Sequence, residues 1–218
     1  SGLSSALSVY THQTTRRANL DRYELLGNDF VINAAWQQFY DIALQDLEVM
    51  IDFGTETDNL IYVGIAKLLK AYSYSVMVDV WGDIPFSEAS QFPDITFPKF
   101  DDDAEIYPQI FNIINDGIAN LENSEAGNQL KPAADDVIYA GDASKWIKFA
   151  NTLKLKLLNQ VRGVNVIADA NSQIDSLLAH PETMISSQAD DFELWYGASV
   201  TPENRHPGFI AAYTQGNP

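Results

Sequence analysis

The chain has 218 residues, with 13 Lys plus Arg against 30 Asp plus Glu and a formal net charge of −17, which excludes modes of binding that rest on neutralising phosphates of nucleic acid or of an anionic membrane surface. With 46% hydrophobic and 11% aromatic residues it can bury a core and is no acidic disordered segment. With no cysteine it forms no disulfide, thiolate metal site or thiol nucleophile.

In chain order, helical periodicity dominates. From Asn33, read as an N-cap, the residues Trp36, Phe39, Tyr40, Ala43, Leu47 and Met50 recur at steps of three and four, the stripe of one buried face. A second helix is expected to start at Thr55–Asp58, to carry Ile61, Ile65, Leu68, Tyr72 and Val76 inward, and to end before Trp81 and Gly82. Gly64 costs this helix propensity and signals a close helix approach. Residues 82–98, with Pro85, Pro93 and Pro98, read as a long connection, either functional or disordered.

A third helix starts near Asp101–Glu105, where Asp102 and Glu105 have capping-box spacing, and it buries Ile110, Phe111, Ile114, Ile118 and Leu121. Pro108 falls in its first turns or kinks them. After a loop over 123–141, Asp142 caps a fourth helix that buries Trp146, Ala150, Leu153, Leu157 and Val161. A shorter helix follows over 170–179, stopped by Pro181, and the segments 191–196 and 202–218 are strand or coil. The longest uninterrupted apolar run, Phe209 to Tyr213, is five residues long, against about 20 for a membrane-spanning helix.

Shifting the first helix by 71 positions aligns Trp36 with Tyr107, Phe39 with Ile110, Tyr40 with Phe111, Ala43 with Ile114, Leu47 with Ile118 and Met50 with Leu121. The pattern is that of two helical hairpins, 33–81 and 101–163, followed by an irregular segment over 181–218. Stacking such hairpins buries the faces that neither could bury alone, as in tetratricopeptide-like arrays. Amphipathic helices also match one another by chance, so the pattern alone leaves both accounts open.

The sequence holds no Walker loop, dinucleotide fingerprint, nucleophile elbow or HExxH helix. His12, His180 and His206 lie outside the strong helices and read as solvent-facing loop residues. Asp101, Asp102 and Asp103 are adjacent hard ligands, but consecutive carboxylates do not converge, and capping is the favoured reading over calcium. Lys145, Lys148, Lys154, Lys156 and Arg162 crowd the fourth helix, either as a solvated face balanced by nearby carboxylates or toward an acidic partner. Trp36 and Trp146 read as core and Trp81 as hairpin packing, whereas Tyr10, Tyr23, Trp195 and Tyr196 lie in aperiodic segments and are the better candidates for exposed stacking faces.

Two blocks carry a family resemblance. The first is Ala66, Lys67, Leu68, Leu69, Lys70, Ala71, Tyr72, followed by Val80, Trp81, Gly82, Asp83, Ile84, Pro85, Phe86, Ser87, Glu88, Ala89. The second is Ile138, Tyr139, Ala140, Gly141, Asp142, followed by Lys145, Trp146, Ile147, Lys148, Phe149, Ala150, Asn151, Thr152, Leu153, Lys154, Leu155. With the Trp36–Tyr40 helix and the Phe97–Ile106 stretch in the expected order, they resemble the SusD/RagB family of Bacteroidetes outer-membrane nutrient-binding lipoproteins. The resemblance implies an all-α fold of stacked tetratricopeptide-like hairpins with long loops. It also implies surface display through an N-terminal lipid absent from this chain, and a SusC-like TonB-dependent transporter as partner. Family members run to more than twice this length, so residues 1–218 are expected to be a single helical unit or part of one, covering the first two of four hairpins.

The implied function is binding of glycans, or of peptides, with no catalysis, cofactor or metal. The irregular stretch from Arg16 to Phe30 is the expected ligand face, with Asp21 and Arg22 on hydroxyls and Tyr23 stacking on a sugar ring. Two rival readings come from other classes: a tetratricopeptide-like protein-interaction scaffold, and a hydrolase whose dispersed carboxylates form no recognisable motif.

Overall fold

Helix ends are set by short side chains that satisfy the first free backbone N–H groups. The Asp102 carboxylate accepts from Ala104 N at 2.9 Å and starts the helix Asp103–Glu122. Asp142 accepts from Ser144 N at 3.0 Å and Lys145 N at 3.2 Å and starts Ala143–Val161. The Ser144 hydroxyl adds a further bond and leads the causes that hold the Asp142 carboxyl below its ordinary range. Both caps stand where the sequence places them.

The structure, a computed structural model, describes residues 3–14 and 30–213. Its helices are α1 (Leu3–Tyr10), α2 (Phe30–Gln37), α3 (Gln45–Glu56), α4 (Leu60–Trp81), α5 (Asp103–Glu122), α6 (Ala143–Val161), α7 (Ala170–Leu178) and α8 (Pro207–Tyr213). A π-helical turn, Gln38–Leu44, lies between α2 and α3. Among the described residues there is no sheet, only the isolated pairs Ile84 with Asp101 and Val200 with Glu203. The chain forms two compact units, one of Ser1–Ile42 and Leu194–Pro218, the other of Ala43–Glu193.

In the larger unit, the helix pairs α3/α4 and α5/α6 stack through α4 and α5, and α4 also meets α6. This is the expected all-α arrangement of stacked helical pairs. Being surrounded, α4 buries residues outside its expected stripe, Val63, Ala66, Ala71, Tyr74, Met77 and Val78, while of the stripe itself Ile65 and Leu68 are buried and Tyr72 is exposed. Burying each large aliphatic side chain contributes about 1.5–3 kcal/mol. The crossing with α5 depends on glycine. A Cβ on Gly64 would stand 2.6 Å from Leu121 Cγ and 2.8 Å from Gly117 O, and one on Gly117 would stand 3.0 Å from Leu68 Cδ2 and 3.2 Å from Gly64 O.

Four expectations need correction. Asn33 is not an N-cap but lies inside α2. Thr55 and Glu56 belong to the end of α3, and α4 begins at Leu60 with its Ile61 N–H met from a distant loop. There Asn128 Oδ1 accepts from Ile61 N at 3.1 Å and Asn59 Oδ1 accepts from Leu130 N at 2.8 Å. The stripe from Trp36 to Met50 is only half-buried, and Leu44 outside it is wholly buried. The π-helical turn is the reason, because a wider turn rotates the phase of every residue after it. Finally, 207–213 is neither strand nor coil but α8. Pro108 lies inside α5, in its second turn.

The irregular segment after α7 straps α6. Lys148 Nζ bonds Asp190 at 3.0 Å, Lys145 Nζ donates to Ala189 O at 2.7 Å, and Asn151 Nδ2 donates to Thr183 O at 3.0 Å. On α5, Asn115 Oδ1 accepts from Lys154 Nζ at 2.9 Å. The basic residues of α6 are therefore largely tied down within the unit.

Gly64→Ala gains helix propensity of about 1 kcal/mol but drives a methyl onto a backbone oxygen that cannot move aside, at a cost of about 1–3 kcal/mol. Gly117→Ala meets chiefly the movable tip of Leu68. Urea unfolding is expected to rank Gly64→Ala below Gly117→Ala and below the wild type.

The Lys148 and Ser187 bonds hold the Asp190 carboxyl below its ordinary value. The folded-state pKa lies under the unfolded one, so this contribution is present above about pH 3.9 and is lost as pH falls through the depressed value. Lys148→Met is expected to unfold at lower urea than the wild type at pH 7, with the gap shrinking in acid when Trp146 fluorescence is followed.

Candidate functional site

Aromatic side chains divide into two groups by what surrounds them. In the larger unit, Phe192 stacks on Phe149 with ring centroids 4.2 Å apart, Trp146, Tyr139 and Tyr72 meet this pair at 5.6–6.3 Å, and Tyr139 meets Trp146 at 5.2 Å. The polar atoms of Tyr139 and Trp146 are satisfied inside. Tyr139 OH donates to Asp190 O at 2.8 Å, and burial, followed by the charges of Asp190, Asp191 and Asp136, pushes its hydroxyl up to about 12. Trp146 Nε1 donates to Asp136 Oδ2 at 2.7 Å. The same carboxylate accepts from the backbone N–H groups of Ile138, Tyr139 and Gly141, and hydrogen bonds to a charged group contribute about 1.5–3 kcal/mol each. Trp146 is core, as expected, and this cluster is scaffold.

The second group lies in the smaller unit between Leu194 and Tyr213. Trp195 is 75% exposed, Tyr196 43%, Phe209 47% and Tyr213 77%. The expected exposure of Trp195 and Tyr196 is observed, whereas Tyr10 is half-buried. A tight loop fixes the backbone between them. Gly197 N donates to Asn204 O at 2.8 Å, Asn204 N to Ser199 O at 3.2 Å, and Ser199 N to Asn204 Oδ1 at 2.9 Å. A Cβ on Gly197 would stand 2.7 Å from the Asn204 side chain, so a side chain there would have to push aside the amide that accepts from Ser199 N. Arg205 forks onto Glu203 through Nε at 2.8 Å and Nη2 at 2.5 Å. These bonds, with the Arg205 backbone N–H, hold the Glu203 carboxyl down to about 2.

After the loop, His206 accepts from Gly208 N through Nδ1 at 3.0 Å and meets the Tyr196 ring at 4.8 Å. Phe209 and Tyr213, one helical turn apart on α8, lie 5.1 Å apart. The arrangement offers flat apolar faces beside ionised and amide groups, which suits ligands that combine C–H surfaces with hydroxyls. Periodicity missed Phe209, Tyr213 and His206. The readable signal was Pro207 followed by aromatics four residues apart, a helix start with one aromatic face.

The expected ligand residues Asp21, Arg22 and Tyr23 lie outside the described residues. His12, His180 and His206 are all exposed, as expected. The three consecutive aspartates do separate work. Asp101 clamps the preceding loop by accepting from Phe86 N, Ser87 N and Ser87 Oγ, while Asp102 caps α5. Burial works to raise the Asp101 carboxyl, but the Ser87, Phe86 and Lys99 bonds together hold it low. Asp83, Asp102 and Asp103 bring carboxylate oxygens within 4.8 Å of one another, all exposed. Asp83 Oδ1 already accepts from Asp103 N. Among the described residues, no helix is long and apolar enough to cross a membrane.

Fold and surface together define a protein of stacked helical pairs with exposed aromatic rings. Residues 2–209 match the SusD-like_2 family, described as starch-binding associating with outer membrane, and the chain belongs to it. A SusD/RagB family protein from Bacteroides thetaiotaomicron is 26% identical with a TM-score of 0.80, over 98% of this chain and 45% of that one. A SusD homolog from Bacteroides uniformis is 28% identical with a TM-score of 0.68, over 82% of this chain and 35% of that one. A chitin-binding SusD homolog from Flavobacterium johnsoniae shares the fold at 21% identity and a TM-score of 0.68, over 87% of this chain and 38% of that one. The chain thus spans less than half the length of these solved structures. No curated protein sequence matches it.

Proposed function

We propose that the chain is the helical part of a cell-surface receptor that binds glycans and passes them to a SusC-like TonB-dependent outer-membrane transporter, without chemistry of its own. The observation that carries this reading is the family match over residues 2–209. The exposed Trp195 and Tyr196 faces support it, because a sugar ring buries its C–H surface well on an aromatic face. An acidic chain is compatible with neutral glycans, which need no positive surface. In this reading the receptor is held at the outer membrane by a lipid on the N-terminal side. Asp21 and Arg22 bind ligand hydroxyls, and Tyr23 stacks.

A peptide-binding scaffold is the second reading. It is favoured by an apolar cleft of about 240 Å³ in the larger unit, lined by Leu47, Met50, Tyr62, Val137 and Ile138 among others. Grooves of this kind take up apolar peptide side chains.

Titration calorimetry of the chain with malto-oligosaccharides and chito-oligosaccharides separates the readings. Glycan binding is expected, and Trp195→Ala should weaken it two- to tenfold, the equivalent of about 0.5–1.5 kcal/mol for one lost ring contact. Tyr23→Ala and Arg22→Ala should each weaken it by a similar factor. Unchanged affinity in both would remove residues 21–23 from the site, and the absence of any glycan binding would sink the reading in favour of peptides.

A further inference from the structure

A polar cleft of about 340 Å³ opens in the larger unit, on residues that the aromatic segment does not share. One wall is the face of α5 that carries Gln109, Asn112, Ile113 and Asp116, residues spaced by three and four so that all point the same way. Phe86, Ser87, Ala89 and Gln91 from the loop after α4 form the opposite wall, and Glu48 of α3 with Lys70 of α4 complete the lining.

The loop wall is held in place before any ligand arrives. Asp101 fixes Phe86 and Ser87 through three hydrogen bonds. Gln91 Nε2 donates to Ser87 O at 2.9 Å, and Phe86 packs edge-on against the buried Tyr74 ring at 4.7 Å. Lys70 and Glu48 form an ion pair with side chains only 19% and 26% exposed. Withdrawing two charges from water is costly, so their place at a cavity wall rather than on the open surface is itself informative.

The free hydrogen-bonding capacity defines the ligand. Asn112 Nδ2 donates to Gln109 Oε1 at 3.2 Å, which turns the Gln109 amide N–H groups and the Asn112 oxygen to other partners. Gln91 keeps its side-chain oxygen, and acceptor capacity remains on Ser87 Oγ, whose proton goes to Asp101, on Glu48 Oε2, beside the oxygen that pairs with Lys70, and on Asp116, whose nearest ammonium, Lys67, stands 4.0 Å away. Donors and acceptors interleave over a short distance beside one aromatic ring. An anion does not fit, because the one ammonium in the lining is already neutralised by Glu48 and a second carboxylate stands nearby. A neutral ligand with many hydroxyls does fit, since each hydroxyl both donates and accepts. The volume lies near the lower end of small-ligand sites, about 300–1,000 Å³.

We propose that this cleft is a second saccharide site, taking a mono- or disaccharide. It shares the ligand class of the glycan reading but neither its residues nor its surface.

The test follows the side-chain amide signals of the ¹⁵N-labelled chain during titration with maltose, cellobiose or N,N′-diacetylchitobiose. At least one disaccharide is expected to shift Gln91, Gln109 and Asn112 saturably. Gln109→Leu combined with Asn112→Leu should weaken that binding by about tenfold or more. Gln91→Ala, on the opposite wall, supplies an independent second variant should the double one misfold. Silent amides with all three sugars, or shifts that persist unweakened in these variants, overturn the cleft. Saturable binding lost in Trp195→Ala while the cleft amides stay silent overturns the cleft and leaves the aromatic surface standing. Cleft shifts as the only binding detected support the cleft and remove the aromatic surface.

Discussion

Gly64 and Gly117 face each other where α4 crosses α5, and the absence of two side chains lets the backbones of the two helices approach closely. That approach makes α4 a central element, buried against α3, α5 and α6 at once. Its burial carries Tyr74 inside, where desolvation raises the hydroxyl well above its ordinary range, with the charges of Glu48 and Asp101 adding to it. Both ends of α4 then act as anchors. At its start, Asp58 Oδ2 accepts from Gly127 N at 2.6 Å, Asn128 Oδ1 accepts from Ile61 N and Asn59 Oδ1 accepts from Leu130 N, pinning the loop before α6. At its end, Gly82 takes a φ of 72° and turns the chain into the loop that Asp101 clamps. Loop positions far apart in sequence thus depend on one helix crossing.

What the sequence made legible follows from how local each cause is. The caps Asp102 and Asp142 and the stripes of α5 and α6 depend on residues within a few positions of one another, and they read correctly; the close approach at Gly64 was signalled by the glycine itself, although its partners Gly117 and Leu121 are distant in sequence. The start of α4 did not, because the side chain that meets its Ile61 N–H is that of Asn128, 67 residues away. Leu44 was missed because a π-helical turn changes the period on which a 3.6-residue stripe relies. Helices α1 and α8, of 8 and 7 residues, carry too few turns to show a period. The strap over α6 was invisible because every bond in it joins residues at least 32 positions apart.

The charge pattern shows how local excess and global balance interact. Four lysines on α6 and Arg162 at its end read either as a solvated face balanced by carboxylates or as a face for an acidic partner. Three of the lysines instead reach protein oxygens, two from the strap and one from α5. Burial holds the Lys154 ammonium below its usual range, a sign that it is partly withdrawn from water. An acidic partner would therefore have to displace bonds already made inside the unit, and α6 serves the scaffold.

The aromatic residues divide by the same criterion, and this bears most directly on the functional reading. Tyr139 and Trp146 bury their rings and commit their polar atoms to Asp190 and Asp136, so their removal would act on stability before binding. Trp195 and Tyr213 keep three-quarters of their surface in water on a backbone fixed by Gly197, Ser199 and Asn204 or by α8. Apolar surface held out on an ordered backbone gives folding little in return, whereas it lowers the entropy cost of binding a flat ligand. The exposure of rings on an ordered frame, rather than the number of aromatics in the chain, is what sets the Leu194–Tyr213 segment apart from the scaffold cluster and supports the proposal that it meets ligand.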